Sequence, residues 1–351
     1  MKRLTLPKLA CLLLGLVLVF TGAHAARVTS LFQVEVNADG RDTASRDAAL
    51  AQGLREVLTR VTGSTAVANG PAAQDLLQHP GRFVEQFRFL EVPAHAPDAE
   101  AQLRLWVQFD GVALAREIRR AGLPYWGRER PDVLVWLAVD DRGQRYLVAE
   151  NAQDAAADAL RRAAARRGLP LTVPLMDLQD QRAVKFTDVW GGFASTVRAA
   201  SQRYRPQVIL LGKLERARGR SDWRSEWTLL GNGTPGSWSG HASGLADGIE
   251  QGIAETADWL AMKYAVVNTD ASVRPLVVEG VRNLADYARV SKYLASLAPV
   301  ETVQVARVNG EEVEFNLQLR AEERNLRQLI TLGKLLQPGG DPALWRFQLN
   351  P

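Results

Sequence analysis

VETVQVARVNGEEVEFNLQL, residues 300–319, runs as a strand into Asn309-Gly310 and leaves it as an alternating one. Val313, Phe315, Leu317 and Leu319 fall on one face, and Glu312, Glu314, Asn316 and Gln318 on the other. A period of two with one apolar face predicts a half-buried strand, and Asn-Gly between two such runs predicts a type I′ hairpin. Upstream, RPLVVEGV reads as a strand, followed by a helix carrying Leu284, Tyr287, Val290, Leu294 and Leu297 at helical spacing. Downstream, a helix is expected from Glu322 to Leu336 and a final strand in ALWRFQL. The order βαββαβ over 272–350 is the ferredoxin-like order, a fold that hosts many functions.

Working back from that unit, residues 131–268 alternate strands and helices. VLVWLAV (133–139) is a continuous apolar run that suits a buried strand. DDRGQ turns the chain into a helix through AADALRRAAARRG, then come a strand LTVPL, a helix over VWGGFASTVRAASQRY and a strand QVILLGKL. A hairpin around Trp223–Leu230 and Gly236–Gly240 and a helix LADGIEQGIAETADWLAMKYA close an α/β layer with partly parallel pairing. Residues 26–130 read as a smaller α+β domain. A strand in LFQVEVN precedes a helix with Leu50, Leu54, Val57, Leu58 and Val61 at helical spacing, started by Asp42 or Thr43 and ended by Gly63. Strands FRFLEVP and AQLRLWVQFDG and a helix VALAREIRRAGL complete it. The expected fold class is therefore α+β and α/β in three domains, 26–130, 131–268 and 269–351.

The first 25 residues stand apart. Lys2, Arg3 and Lys8 precede an apolar run from Leu9 to Phe20, and Ala23-His24-Ala25 follows. Basic, apolar and small residues in that order predict a secretory signal cleaved after Ala25 and a periplasmic location. The run is too short for a bilayer-crossing helix, which leaves a retained anchor as the alternative reading. Cys11 lies inside the run, a poor place for lipoprotein acylation. Without these residues the chain has 40 basic against 39 acidic side chains and no cysteine, which suits an oxidising compartment and argues against nucleic-acid binding. No further apolar stretch is long enough for a membrane span.

Catalytic chemistry finds little support. His79, His95 and His241 have no metal-ligand spacing, so no metal site is expected. GNGTPGSWSGHASG (231–244) lacks the Lys-Ser or Lys-Thr of a phosphate loop and the Gly-x-Ser-x-Gly of a nucleophile elbow. Ser239 and His241 share a strand face without an indicated acidic third member. Asp140 and Asp141 end a strand where α/β sheets often bind ligands, yet DDRGQ is itself a good turn sequence and the turn is the favoured reading. The clusters REIRR, GRERP and RRAAARR offer cations to anionic partners, although Arg161, Arg162, Arg166 and Arg167 fit the wet side of an Ala-rich helix. Trp223 and Trp227 share a face that sugars or a partner protein could use, or that sheet packing could bury. No catalytic, cofactor-binding or metal-binding residue set is assigned.

DTASRDAALAQGLREVLTRVTG, FTDVWGGF, SQRYRPQVILLGKLER and VEGVRNLADYARVSKYLASLAPVETVQV together resemble the proteobacterial domain-of-unknown-function family 2066. That resemblance implies a secreted envelope protein without an assigned activity. More distantly, the N-terminal helix pattern resembles the first domain of the flagellar outer-ring protein T. The middle strand–helix order is similar to the N-terminal domain of the Tol translocation protein and to lipoprotein activators of penicillin-binding proteins, which are envelope interaction modules. The expected function is a non-enzymatic scaffold or adaptor binding another envelope protein, with no cofactor. The alternatives are a peptidoglycan or anionic-glycan binder using Trp223, Trp227, Arg220 and Arg224, and an enzyme centred on Asp140 and Asp141.

Overall fold

The computed structural model describes residues 31–93, 102–231, 236–340 and 344–350. The expected signal segment with its cleavage point at Ala25, together with Cys11, His24 and His95, lies outside the described residues. Within them the chain forms three sheets, of three, six and five strands, with helices packed against them.

The N-terminal unit comprises β1 (Gln33–Asn37), α1 (Thr43–Thr62), α2 (Thr65–Ala68), α3 (Pro71–Gln78), β2 (Val84–Val92), β3 (Gln102–Phe109) and α4 (Gly111–Arg120). Its antiparallel sheet has the order β1-β3-β2. The Asp42 carboxylate caps α1 by accepting the Ser45 amide at 3.0 Å. Gly63 ends the helix at φ 77°, and a Cβ there would collide with Ala261 of the middle unit. One residue thus satisfies both the left-handed cap and a close approach between units.

The middle unit comprises β4 (Val133–Asp141), β5 (Gln144–Leu147), α5 (Ala155–Arg167), β6 (Leu171–Thr172), α6 (Leu178–Ala183), α7 (Phe186–Trp190), α8 (Ala194–Ser201), β7 (Val208–Arg216), β8 (Trp223–Leu230), β9 (Gly236–Ala242) and α9 (Leu245–Tyr264). Its sheet runs β5-β4-β7-β8-β9, with β6 also paired to β4. The β4–β7 and β4–β6 pairs are parallel and the rest antiparallel. Apolar clusters on both faces of β4 explain its unbroken apolar run. Two expectations shorten here. Of LTVPL only Leu171 and Thr172 pair, and the helix foreseen over residues 189–204 is broken at Gly191-Gly192, where Gly192 takes φ 68°.

The C-terminal unit comprises β10 (Ser272–Glu279), α10 (Leu284–Ser296), β11 (Val300–Asn309), β12 (Glu312–Leu319), α11 (Glu323–Leu332), β13 (Leu336–Pro338) and β14 (Arg346–Leu349). The order β11-β12-β10, all antiparallel, is that of a ferredoxin-like sheet, and Val313, Phe315, Leu317 and Leu319 are buried as their alternation requires. Its far side departs from that fold. α11 stops at Leu332, four residues before the expected end, because Gly333 lies against the Tyr293 ring and Lys334 turns at φ 57°. The freed residues form β13 at the sheet edge, and β14 enters between β13 and β10, parallel to β10. The hairpin turn is also displaced. Asn309 pairs with Glu312, and only Gly310 in the two-residue loop has positive φ, as a type II′ turn requires. The loop with positive φ at both central positions, the type I′ requirement, is Arg142-Gly143 between β4 and β5.

A cluster of arginines joins the N-terminal and middle units. Buried Arg130 donates to five carbonyls: Gly127 (3.0 Å), Trp126 (2.9 Å), Arg60 (2.7 Å), Arg167 (2.9 Å) and Gly168 (3.1 Å). Its guanidinium also stacks on the Trp126 ring, 4.1 Å from the centroid. Arg60 reaches the carbonyls of Leu31 and Gln33, and Arg167 reaches that of Gly63 and the Asp258 carboxylate. Arg167 was expected on the wet side of its helix and is instead buried in this junction.

Within the middle sheet, Trp227 occupies a slot left open by Gly212 on β7 and Gly252 on α9, where a Cβ would overlap the indole. Gly252→Ala is expected to lower unfolding free energy by about 1–3 kcal/mol in urea denaturation, the usual cost of overpacking. Gly81→Ala, which meets no neighbouring atom, is expected to change it by less than about 0.5 kcal/mol.

Candidate functional site

The residues singled out from sequence divide between packing, turns and one cleft. Asp140 accepts the Gly143 amide at 2.8 Å and Arg145 Nε at 2.7 Å, and Asp141 accepts Arg216 Nε and Nη2 in a bidentate pair at 2.7 and 2.6 Å. These hydrogen bonds hold both carboxyls below their ordinary pKa, so the pair is ionised, with Asp140 closing the β4–β5 hairpin and Asp141 tying β4 to β7. Trp223 and Trp227 do face the same way, but into the core, with exposures of 4% and 1%. Arg216 covers the Trp223 ring, while Arg220 pairs with Asp222 and Arg224 with Glu226. The sugar platform built on these four residues is therefore corrected to sheet packing.

Ser239 and His241 share the exposed face of β9, with Asp222 3.7 Å from His241 Nδ1. His79 lies at the end of α3 in another unit, and among the described residues no group of three or more His, Cys, Asp or Glu side chains is placed to hold a metal ion. A concavity of about 520 Å³ between α6 and α8 is lined by Asp180 and Arg203. Asp180 is buried and satisfied by Arg203, the Tyr204 hydroxyl and the Met176 amide, so it has no unpaired charge to offer. Burial and that carboxylate push the Tyr204 phenol up to about 12.

The remaining arginine motifs converge. A cleft of about 1130 Å³ separates the β2–α4 side of the N-terminal unit from the α10–β11 connection of the C-terminal unit. REIRR supplies Arg116, Arg119 and Arg120 from α4, and GRERP supplies Arg128 from the connecting segment. Arg82 and Arg320 join them from distant positions that no sequence motif marked. Six guanidinium groups thus line the cleft against the three carboxylates of Glu85, Asp110 and Glu301. Arg320 is paired with Glu301, and Arg116 and Arg120 flank Glu117. Among the described residues Arg82, Arg119 and Arg128 have no carboxylate partner within ion-pair distance.

Two connections set the distance between the cleft walls. Tyr125 and Val266 exchange backbone hydrogen bonds of 2.8 and 3.0 Å, and the Asn268 side chain donates to the Arg119 carbonyl at 3.2 Å. Arg119 lies over the Tyr125 ring at 5.5 Å. Burial raises the Tyr125 phenol above its ordinary pKa, against the pull of the Arg119, Arg130 and Arg128 charges. A concave surface with one sign of charge in excess focuses its field on an incoming anion.

A family model for a domain of unknown function, DUF8605, matches residues 25–127, the N-terminal unit. Its number differs from that of the family the sequence resembles. No curated protein matches the chain. Among solved structures, the LpoB C-terminal domain from Salmonella enterica is similar, at 18% identity over 32% of this chain and 83% of that chain, with a TM-score of 0.22. Among the described residues no helix is long and apolar enough to cross a membrane.

If the buried tryptophans are core residues, Trp227→Ala lowers stability by about 3–5 kcal/mol. Urea unfolding followed by circular dichroism measures this, and a loss below about 1 kcal/mol would return the indole to the surface.

Proposed function

We propose that this chain is a non-enzymatic binding protein of the bacterial envelope, a scaffold or adaptor in three domains (26–130, 131–268 and 269–351), which holds an anionic partner in the cleft between its first and last domains. The observation that carries this reading is the set of Arg82, Arg119 and Arg128, three cations without carboxylate partners gathered on the N-terminal side of one cleft. The basic, apolar and small-residue order of residues 1–25 supports an envelope location. An enzyme centred on Asp140 and Asp141 loses support because both carboxylates are committed to arginines of the same sheet. The anionic-glycan alternative keeps the same cleft and gives up the tryptophans.

Titration of the chain lacking residues 1–25 with fluorescent poly-L-glutamate tests the proposal. Binding is expected to weaken as salt screens the charges. Replacing two cleft cations, Arg119→Gln with Arg128→Gln, is expected to weaken it about tenfold or more, because focused charges in a cleft act together. Arg162→Gln with Arg198→Gln removes the same charge from the middle domain and is expected to leave binding nearly unchanged. Absence of salt-sensitive binding, or equal loss in both double variants, would overturn the proposal.

A further inference from the structure

One face of α4 carries more information than charge. Its buried side is Leu114, Ala115 and Ile118. Val112, Arg116 and Arg119 line the cleft instead, three or four residues apart, with Arg120 next to Arg119, so that an apolar end is followed by three cations over roughly 12 Å. Val112 is 79% exposed at the start of that stripe. Across the cleft, Ala295, Ala298, Pro299 and Val300 continue the apolar surface where α10 passes into β11. The walls therefore pair an apolar seam with an arginine bank.

The aromatic lining does not suit sugars. Phe32 is only 5% exposed, and the Tyr125 ring is covered by Arg119, which leaves no open ring face for a sugar to stack upon. The volume of about 1130 Å³ also exceeds the usual range for small ligands and fits a length of chain. A purely charged polymer would leave Val112 and the opposite seam uncovered.

Resting on the anion-binding reading above, we infer that the occupant of this cleft is an acidic segment of a partner protein in which apolar side chains are interspersed with carboxylates. Carboxylates meet Arg82, Arg119 and Arg128, and apolar side chains cover Val112 and the Ala298–Val300 seam.

Two fluorescent peptides of equal length and charge, one with leucines between its glutamates and one with serines, test this against the chain lacking residues 1–25. The Glu–Leu peptide is expected to bind about tenfold tighter, since burying apolar surface adds to the charge interaction. Val112→Ser, at an exposed position where folding is not at stake, is expected to weaken the Glu–Leu peptide by about threefold to tenfold and to leave the Glu–Ser peptide unchanged. Arg119→Gln with Arg128→Gln weakens both. Equal affinity for the two peptides, lost with the arginines, would overturn this inference while leaving the anion-binding reading intact. Arginine-dependent co-sedimentation with purified sacculi, with neither peptide bound, would assign the cleft to glycan. Failure of every anionic probe would overturn both readings.

Discussion

The Arg130 guanidinium is buried where the C-terminal ends of α1 and α5 meet, and its five hydrogen bonds all go to main-chain carbonyls. Helix C-termini leave carbonyls without intrahelical partners and carry the negative end of the macrodipole, so a cation placed between two such ends satisfies both at once. Arg60 and Arg167 act in the same way from either side. Three like charges in one junction repel, and burial together with Arg60 pulls the Arg130 guanidinium down to about 9. That value still leaves it protonated near neutral pH, with every N–H available to donate.

Much of the arrangement follows from this junction. Trp126, stacked under Arg130, packs in the core of the middle unit although it lies in the last residues of the N-terminal segment. Its neighbour Tyr125 pairs with Val266, which belongs to the core of the C-terminal unit. Two residues beyond Arg130, Asp132 takes the Lys334 ammonium at 2.9 Å, and Gln207 reaches the Leu332 carbonyl at 2.8 Å. The segment from Tyr125 to Asp132 therefore touches all three units. The arginine cleft is the space left between the outer two, and most of its charge comes from this segment and α4, with Arg82 and Arg320 added from elsewhere in the fold.

What sequence could reveal follows the range of the interactions involved. Asp42 and Gly63 were legible as caps because their partners lie within a few residues, and the burial of Val313 to Leu319 because alternation is local. The arginines were misjudged where their partners are remote. Arg167 resembled a solvated helix face, but Gly63 and Asp258 receive it from other elements. α11 ends where Lys334 turns to φ 57°, beside Tyr293, about forty residues upstream, which packs on Gly333 and donates to the Leu329 and Ile330 carbonyls, and no propensity at Gly333-Lys334 announces a parallel β14. The cleft was half visible: REIRR and GRERP were marked as cations for an anionic partner, while Arg82 and Arg320 arrive only through folding.

The proposed binding rests on a fixed separation between two walls. The chain beyond residue 25 has no cysteine, so spin labels can be placed singly at Gln86→Cys on β2 and Gln304→Cys on β11, one on each side of the cleft. The distance distribution between them, measured with Arg130 intact and with Arg130→Met, reports directly on whether the buried guanidinium holds the walls. A single narrow distribution that broadens in Arg130→Met is the expected result. The same narrow distribution in both proteins would show that the cleft owes nothing to this arginine.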